Sequence, residues 1–176
     1  MTTSVSELMI EAGQKARAAS RRMAAASTAD KNKALLRLAE LLEAKKEDIF
    51  AANERDLVRA KKNGLKESFV DRLRVTEKVL RLMAEGARQT AALPDPVGEI
   101  SEMRRRPSGI QVGRMRVPLG VLGIIYESRP NVTVDAAYLA VKSGNACILR
   151  GGSEAFETNR ILEIGRASCR ERVYRL

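Results

Sequence analysis

Two short polar clusters in the second half of the chain contain the side chains best suited to bind or transform a ligand. The first cluster contains Glu127, Ser128, Arg129 and Asn131, which offer a carboxylate, a hydroxyl, a guanidinium and an amide. A guanidinium pairs bidentately with carboxylates and phosphates, so Arg129 is a candidate for holding an anionic group of a substrate. The alternative that the sequence leaves open is a structural arginine that joins this loop to another domain.

The second cluster consists of Arg150, Gly151, Gly152, Ser153 and Glu154. A cation beside two glycines suits a negatively charged ligand, because backbone without side chains can approach a ligand closely. The chain contains no Gly-x-Gly-x-x-Gly sequence, so the usual dinucleotide fingerprint gives no help in locating a cofactor.

Each cluster directly follows an apolar run that predicts a buried β-strand, one around Gly123 and one at 146–149. A helix is predicted between them at 131–143, with Gly144 ending it as a C′ residue. Its apolar face is formed by Val134, Ala137, Tyr138 and Val141. Strand, helix and strand make a βαβ unit, so both clusters are expected at the carboxyl edge of a parallel sheet, where ligands bind.

The remaining composition excludes several kinds of chemistry. There is no His, and the two cysteines are Cys147 and Cys169. A histidine general base, a Ser-His or Cys-His pair and an imidazole metal ligand are therefore absent, and two cysteines make no zinc spacing, so no metal site is predicted. Because Cys147 lies inside the second apolar run, it is predicted to be a buried small hydrophobe.

The chain before Pro94 is predicted to be a layer of helices. Five helices are predicted: one at 7–26, one that follows a cap formed by Ser27, Thr28 and Asp30, one at 46–62, one at 67–73, and one that Thr76 caps and that extends to about 92. The predicted buried stripe is Leu35, Leu38, Leu41 and Leu42 in the second helix and Val79, Leu80, Met83 and Ala87 in the fifth. The sequence Pro-Asp-Pro at 94–96 breaks this pattern. Residues 97–103 and 110–117 then alternate polar and apolar side chains around Arg-Pro-Ser-Gly, which predicts a β-hairpin.

The charge and hydropathy are those of a globular chain. Of the 176 residues, 44% are hydrophobic and 31% are charged, and the net charge is +10. The basic pairs are scattered among acidic residues and only 3% of residues are aromatic, so solvated helix faces explain the charge better than nucleic-acid binding. No apolar run reaches the roughly 18 residues of a membrane span, and the first residues do not have the order of a signal peptide. A cytoplasmic protein with no membrane and no nucleic-acid partner is predicted.

Three blocks of this sequence resemble the gamma-glutamyl phosphate reductases, a branch of the aldehyde dehydrogenase superfamily. They are Tyr-Glu-Ser-Arg-Pro-Asn-Val-Thr-Val-Asp at 126–135, Lys-Ser-Gly-Asn-Ala at 142–146 and Ile-Leu-Arg-Gly-Gly-Ser-Glu at 148–154. The first block is specific to that branch, because other aldehyde dehydrogenases have a Trp-Asn-Phe-Pro type motif there. The resemblance extends from about Glu7 to Leu162.

The resemblance implies an α/β fold of the aldehyde dehydrogenase type, present here only in part. Residues 1–93 would be the helical layer of the cofactor domain, and 94–117 a linker and β-hairpin arm. Residues 118–162 would be the first βαβα part of the NADP-binding domain, which is the start of a Rossmann-like parallel sheet. In that family the arm reaches toward a partner subunit, which implies a homo-oligomer for the full-length protein. A plain surface hairpin is the alternative.

The resemblance also implies a reaction and roles for the two clusters. The family reduces gamma-glutamyl phosphate to glutamate-5-semialdehyde with NADPH in proline biosynthesis, after a thiolate attacks the acyl phosphate. Neither cysteine of this chain matches that nucleophile, so no catalytic residue is assigned and the chain is predicted to be inactive. Ser128 stands where the wider superfamily has the Asn that donates to the oxyanion, a departure that puts this role in doubt. Arg150 aligns with the Lys that reaches the adenosine ribose and the 2′-phosphate of NADP, and Ser153 and Glu154 match the polar pair that follows it.

The last residues do not share the resemblance. Glu163 to Val173 reads as the translation of a common DNA sequencing adapter, so residues 163–176 are predicted to be an artefactual tail. Two other functions remain open: a binding or assembly module without turnover, and, more remotely, a basic nucleic-acid-binding protein. Cofactor binding without activity would indicate the former, and a salt-sensitive gel shift would indicate the latter.

Overall fold

A computed structural model describes residues 4–163 and 174–175 of the chain, and its elements follow the predicted order. Five helices come first, then a hairpin, then a strand, helix, strand and helix. Their bounds are α1 Val5–Ala24, α2 Thr28–Ala44, α3 Lys46–Lys62, α4 Glu67–Leu73, α5 Glu77–Ala92, β1 Ile100–Arg105, β2 Gln111–Met115, β3 Val121–Ile125, α6 Pro130–Lys142, β4 Ala146–Arg150, a 3-10 turn Ser153–Ala155, α7 Phe156–Leu162 and β5 Tyr174–Arg175.

Two predicted caps begin α2 and α5. The side chain of Ser27 accepts a hydrogen bond from the Asp30 N–H at 3.1 Å, and that of Thr76 accepts from the Val79 N–H at 3.3 Å. These bonds satisfy donors that have no partner within the helix. The helix α1 begins slightly earlier than predicted, because Ser4 and Glu7 form a capping box.

The main hydrophobic core lies between α2, α3, α5 and α6. Most of its buried side chains come from α2 and α5, and these include Leu38, Leu42, Leu80 and Met83. They are joined by Ile49 of α3, Val134 of α6, Leu162 of α7 and Val75 of the segment before α5. Helix α6 therefore packs against the helical layer with one face while another face covers the sheet.

The hairpin of β1 and β2 is antiparallel and extends away from this core. The strands pair from Ile100 with Met115 to Arg105 with Gln111, and every residue of both strands is exposed. Its root is anchored by Asp95, which accepts hydrogen bonds from Thr28 Oγ1 at 2.8 Å and from Lys31 Nζ at 3.0 Å. The side chain of Lys31 is buried, so this ion pair ties the linker to α2.

Strands β3 and β4 are parallel and run in register from Val121 with Ala146 to Ile125 with Arg150. The prediction that both strands are buried is wrong for β3, in which Ile125 is 86% exposed. The reason is that α6 covers only one face of β3, where Leu122 and Ile124 pack with Cys147 and its neighbours. The alternate residues of β3 face outward.

The prediction of an artefactual tail falls mostly outside the described residues. Tyr174 and Arg175 are described, and they pair in parallel with Ile148 and Leu149 of β4. An open strand edge offers unpaired N–H and C=O groups to any extended segment, so this pairing does not require a segment of matched origin. Within the described ranges, no helix has the length and hydropathy of a membrane span.

Candidate functional site at the sheet edge

The two predicted clusters lie side by side at the carboxyl edge of the sheet. Ile125 and Arg150 are register partners at the ends of β3 and β4, and the Tyr126 N–H donates to the Arg150 carbonyl at 3.0 Å. The loop after β3 and the loop after β4 therefore start from adjacent points. In α/β sheets this edge is where ligands bind, because the loops there are free to vary while the strands hold them in place.

A hydrogen bond joins the two loops directly. The Ser128 hydroxyl donates to Glu154 Oε2 at 2.5 Å. This bond, together with a backbone N–H bond, lowers the pKa of the Glu154 carboxyl against the opposing effect of burial. A Cβ on Gly152 would lie 2.6 Å from Glu154 Oε2 and would also overlap the Ser128 hydroxyl. A side chain at position 152 would therefore have to displace the Ser128–Glu154 pair.

A second set of side chains lies close to Gly151. A Cβ there would lie 2.6 Å from Asn159 Nδ2 and 3.0 Å from the Tyr126 hydroxyl. The hydroxyls of Tyr126 and Thr133 are 2.6 Å apart, and Thr133 donates to Asn159 Oδ1 at 2.9 Å. The protein's own side chains therefore occupy the space that a Cβ on either glycine would need. The approach of a ligand to the backbone of these two glycines stays a prediction.

Helix α7 is fastened to α3 by buried polar groups that sequence reasoning missed. Asp56 is fully buried and accepts from the Glu157 N–H at 3.2 Å, the Thr158 N–H at 2.8 Å and the Thr158 hydroxyl at 2.7 Å. Asn53, one turn earlier, donates to the Thr158 hydroxyl at 3.1 Å. The sequence contained one signal for this contact, which is that Asn53 and Asp56 are polar residues three apart on the buried face of α3. Their partner Thr158 lies about a hundred residues away in the chain, so the sequence did not show what they bind.

The remaining predicted residues of the first cluster point to different partners. Glu127 forms an exposed ion pair with Arg72 at 3.4 Å, and Asn131 donates to Asp135 at 3.0 Å. Arg129 is the exposed N-cap residue of α6, and its side chain makes no ion pair with residues 4–163. Its position leaves both predicted roles open.

The second cluster has one cation and one carboxylate at the edge. Arg150 is exposed, and its Nη1 donates to the carbonyl oxygen of Gly151 at 2.7 Å. The carbonyls of Ser153 and Glu154 accept from Arg59 on α3 at 3.5 and 3.3 Å. The charged side chains of the cluster therefore lie on a loop whose backbone is hydrogen-bonded to Arg59 of the helical layer.

Cys147 is confirmed as a core residue, and its thiol is expected to resist modification. It is 1% exposed, and burial raises its pKa to about 11. At pH 8 only about one such thiol in a thousand would be ionised, and only the thiolate is a nucleophile. In a Cys169→Ser background we expect labelling by a disulfide reagent at pH 8 only as fast as the protein unfolds. Rapid labelling in the absence of denaturant would contradict the burial.

Comparisons with known proteins agree with this arrangement. The family model of the aldehyde dehydrogenase family matches residues 2–162. The structure of gamma-glutamyl phosphate reductase from Thermotoga maritima superposes with a TM-score of 0.87 at 40% identity, over 94% of this chain and 40% of that one. Gamma-glutamyl phosphate reductase from Saccharomyces cerevisiae superposes with a TM-score of 0.87 at 30% identity, over 99% of this chain and 47% of that one.

A more distant neighbour shares the same fold. An NAD-dependent benzaldehyde dehydrogenase from Corynebacterium glutamicum superposes with a TM-score of 0.65 at 25% identity, over 88% of this chain and 32% of that one. The chain thus spans less than half the length of each of these three neighbours. The predicted resemblance and the predicted α/β fold, present in part, are both confirmed, and the family uses NAD or NADP. The match over residues 2–162 and the shared architecture show that the chain belongs to the aldehyde dehydrogenase family.

Proposed function

We propose that the full-length protein containing this chain reduces gamma-glutamyl phosphate to glutamate-5-semialdehyde with NADPH, a step of proline biosynthesis in the cytoplasm. The observation that carries the proposal is the joined pair of loops at the sheet edge. Their sequences are the blocks that resemble the gamma-glutamyl phosphate reductases, and two neighbours at 40% and 30% identity bear that name. A small anionic substrate also suits a chain with a net charge of +10.

The donor set at the end of β4 fits a phosphorylated dinucleotide. Arg150 is an exposed cation at the strand end, and the loop after it is held in place by Arg59, Ser128 and the residues packed against Gly151. In this proposal Arg150 pairs with the 2′-phosphate of NADP, while Ser153 and Glu154 hold ribose hydroxyls. NADPH would supply the hydride, and the chain's own residues would bind and orient it.

The loop after β3 is proposed to position the acyl group. Arg129 is exposed beside it and offers a guanidinium for a substrate carboxylate or phosphate. Glu127 and Asn131 flank this position: Glu127 pairs with Arg72 of α4, and Asn131 donates to Asp135 within α6. The thiol that attacks the acyl phosphate would come from the part of the neighbours' length that this chain does not span.

The same proposal gives the hairpin arm a partner. All of β1 and β2 is exposed, including Ile100 and Met115, which are 58% and 60% exposed. Two short strands alone are marginally stable, and apolar side chains on an open hairpin gain from being covered. We propose that a second copy of the full-length protein covers the arm, so that the enzyme is a homo-oligomer.

The cofactor assignment predicts a selective effect of reversing one charge. In the full-length protein that contains this chain, Arg150→Glu is expected to raise the KM for NADPH by about 10- to 100-fold, the range for losing a charge-assisted hydrogen bond. The KM for NADH should change much less, because NADH has no 2′-phosphate for the new carboxylate to repel. Steady-state kinetics with both cofactors measures the difference.

Arg160→Glu is the matched control, since Arg160 is also exposed and lies further along the same segment, on α7. It introduces the same change of charge away from the sheet edge and should leave both KM values nearly unchanged. Equal increases for NADPH and NADH in Arg150→Glu would show that Arg150 does not recognise the phosphate. The absence of gamma-glutamyl phosphate reduction in the unsubstituted enzyme would refute the proposed function itself.

A further inference from the structure

We infer that Ser128 is a positioning residue, whose hydrogen bond to Glu154 couples the loop after β3 to the loop after β4. The inference rests on the proposed function only for the ligands that the two loops hold. The contact itself is defined by the 2.5 Å separation of the Ser128 hydroxyl and Glu154 Oε2. It spans two loops whose residues are 26 positions apart in the chain.

The surrounding atoms leave this pair little freedom. Gly152 lies against the two side chains, because a Cβ there would meet both of them as well as the Ser128 backbone nitrogen, at 3.3 Å. On the other side, the Glu154 carbonyl accepts from Arg59, which is itself paired with the buried carboxylate of Asp56. The loop after β4 is therefore held by the helical layer at its backbone and by the neighbouring loop at its side chain.

The bond also restricts what Ser128 can do chemically. A serine hydroxyl has one proton, and here a carboxylate accepts it, which is a stronger acceptor than a neutral carbonyl. While this bond exists, the Ser128 side chain cannot donate to a developing oxyanion. The role of Ser128 is to fix the distance between the loop after β3 and the loop after β4. Donors to an oxyanion at this edge would therefore have to be other groups, such as backbone N–H groups.

The coupling is tested by amide hydrogen exchange on this chain, which requires no ligand. In Ser128→Ala, exchange in the unaltered loop at 151–154 is expected to accelerate by about 5- to 10-fold, since one charge-assisted hydrogen bond at a partly exposed site is lost. Ser128→Thr keeps the hydroxyl and should restore the slow exchange. Glu154→Gln, a weaker acceptor of the same shape, should accelerate exchange in the loop at 126–129.

Ser108→Ala is the matched control, because it removes an exposed serine hydroxyl from the hairpin turn. Acceleration confined to the substituted loop, or no greater than in Ser108→Ala, would overturn the inference. A third outcome would also overturn the inference: exchange accelerates uniformly along the chain, the urea midpoint falls, and both effects persist in Ser128→Thr. That outcome would show a general loss of stability. Titration with NADPH of the full-length protein that contains this chain tests the cofactor separately. Coupled loops in a full-length protein that does not bind NADPH would count against the proposed cofactor and leave the coupling standing.

Discussion

Replacing Asp56 with Ala is expected to lower the free energy of unfolding by about 3 kcal/mol, because it leaves several buried donors of α7 without an acceptor. The carboxylate is fully buried and accepts from two backbone N–H groups and one hydroxyl, on Glu157 and Thr158. Each unsatisfied buried donor costs about 1–3 kcal/mol, while the released Arg59 is partly exposed and can be hydrated. Urea denaturation followed by circular dichroism measures the change.

Glu54→Ala is the appropriate control for this substitution. Glu54 lies on the exposed face of the same helix, so the loss of its charge should change the unfolding free energy by less than about 0.5 kcal/mol. Asp56→Asn keeps the shape of the side chain and one acceptor oxygen. Its loss of unfolding free energy should lie between those of Asp56→Ala and Glu54→Ala. An equal effect of Asp56→Ala and Glu54→Ala would contradict the prediction. It would show that the hydrogen bonds of Asp56 do not stabilise the packing of α7 on the helical layer.

The chain on its own is expected to show no turnover, which is the largest functional effect that we predict. The proposed reduction of an acyl phosphate needs a positioned thiolate, whereas Cys147 is 1% exposed with a pKa of about 11 and Cys169 lies in the segment predicted to be artefactual. The chain also spans only 40% and 47% of the two reductase neighbours. Incubation with NADP, phosphate and glutamate semialdehyde, followed by the absorbance of the reduced nicotinamide, tests the reaction in the oxidative direction.

A full-length gamma-glutamyl phosphate reductase assayed under the same conditions is the positive control, and deletion of residues 163–176 should leave the chain inactive. Activity that disappeared on Cys147→Ser would show that Cys147 is not merely a core residue. Activity that disappeared on Cys169→Ser would show that the adapter-like interpretation of the last residues is wrong.

Local signals in the sequence predicted the elements well, because the forces that set them act between near neighbours. Ser27 and Thr76 cap their helices as predicted, since a cap satisfies donors only two or three residues away. Gly144 has a φ of +70° after α6, a conformation that glycine adopts without a steric penalty. The carboxyl edge that holds both clusters also followed from the strand, helix and strand order alone.

The residues that hold the site together were decided by tertiary structure. Asp56, Asn159 and Tyr126 looked like ordinary helix or strand residues, because a buried polar group becomes recognisable only when its distant partner is known. The exposure of Ile125 had a similar origin: an apolar strand is buried only when packing covers both of its faces, and α6 covers one. The sequence by itself therefore determined the order of elements, the family and the two clusters, through short-range patterns. Only the folded chain determined that Ser128 bonds Glu154 beside Gly152, because that contact depends on the register of two strands that are not adjacent in sequence.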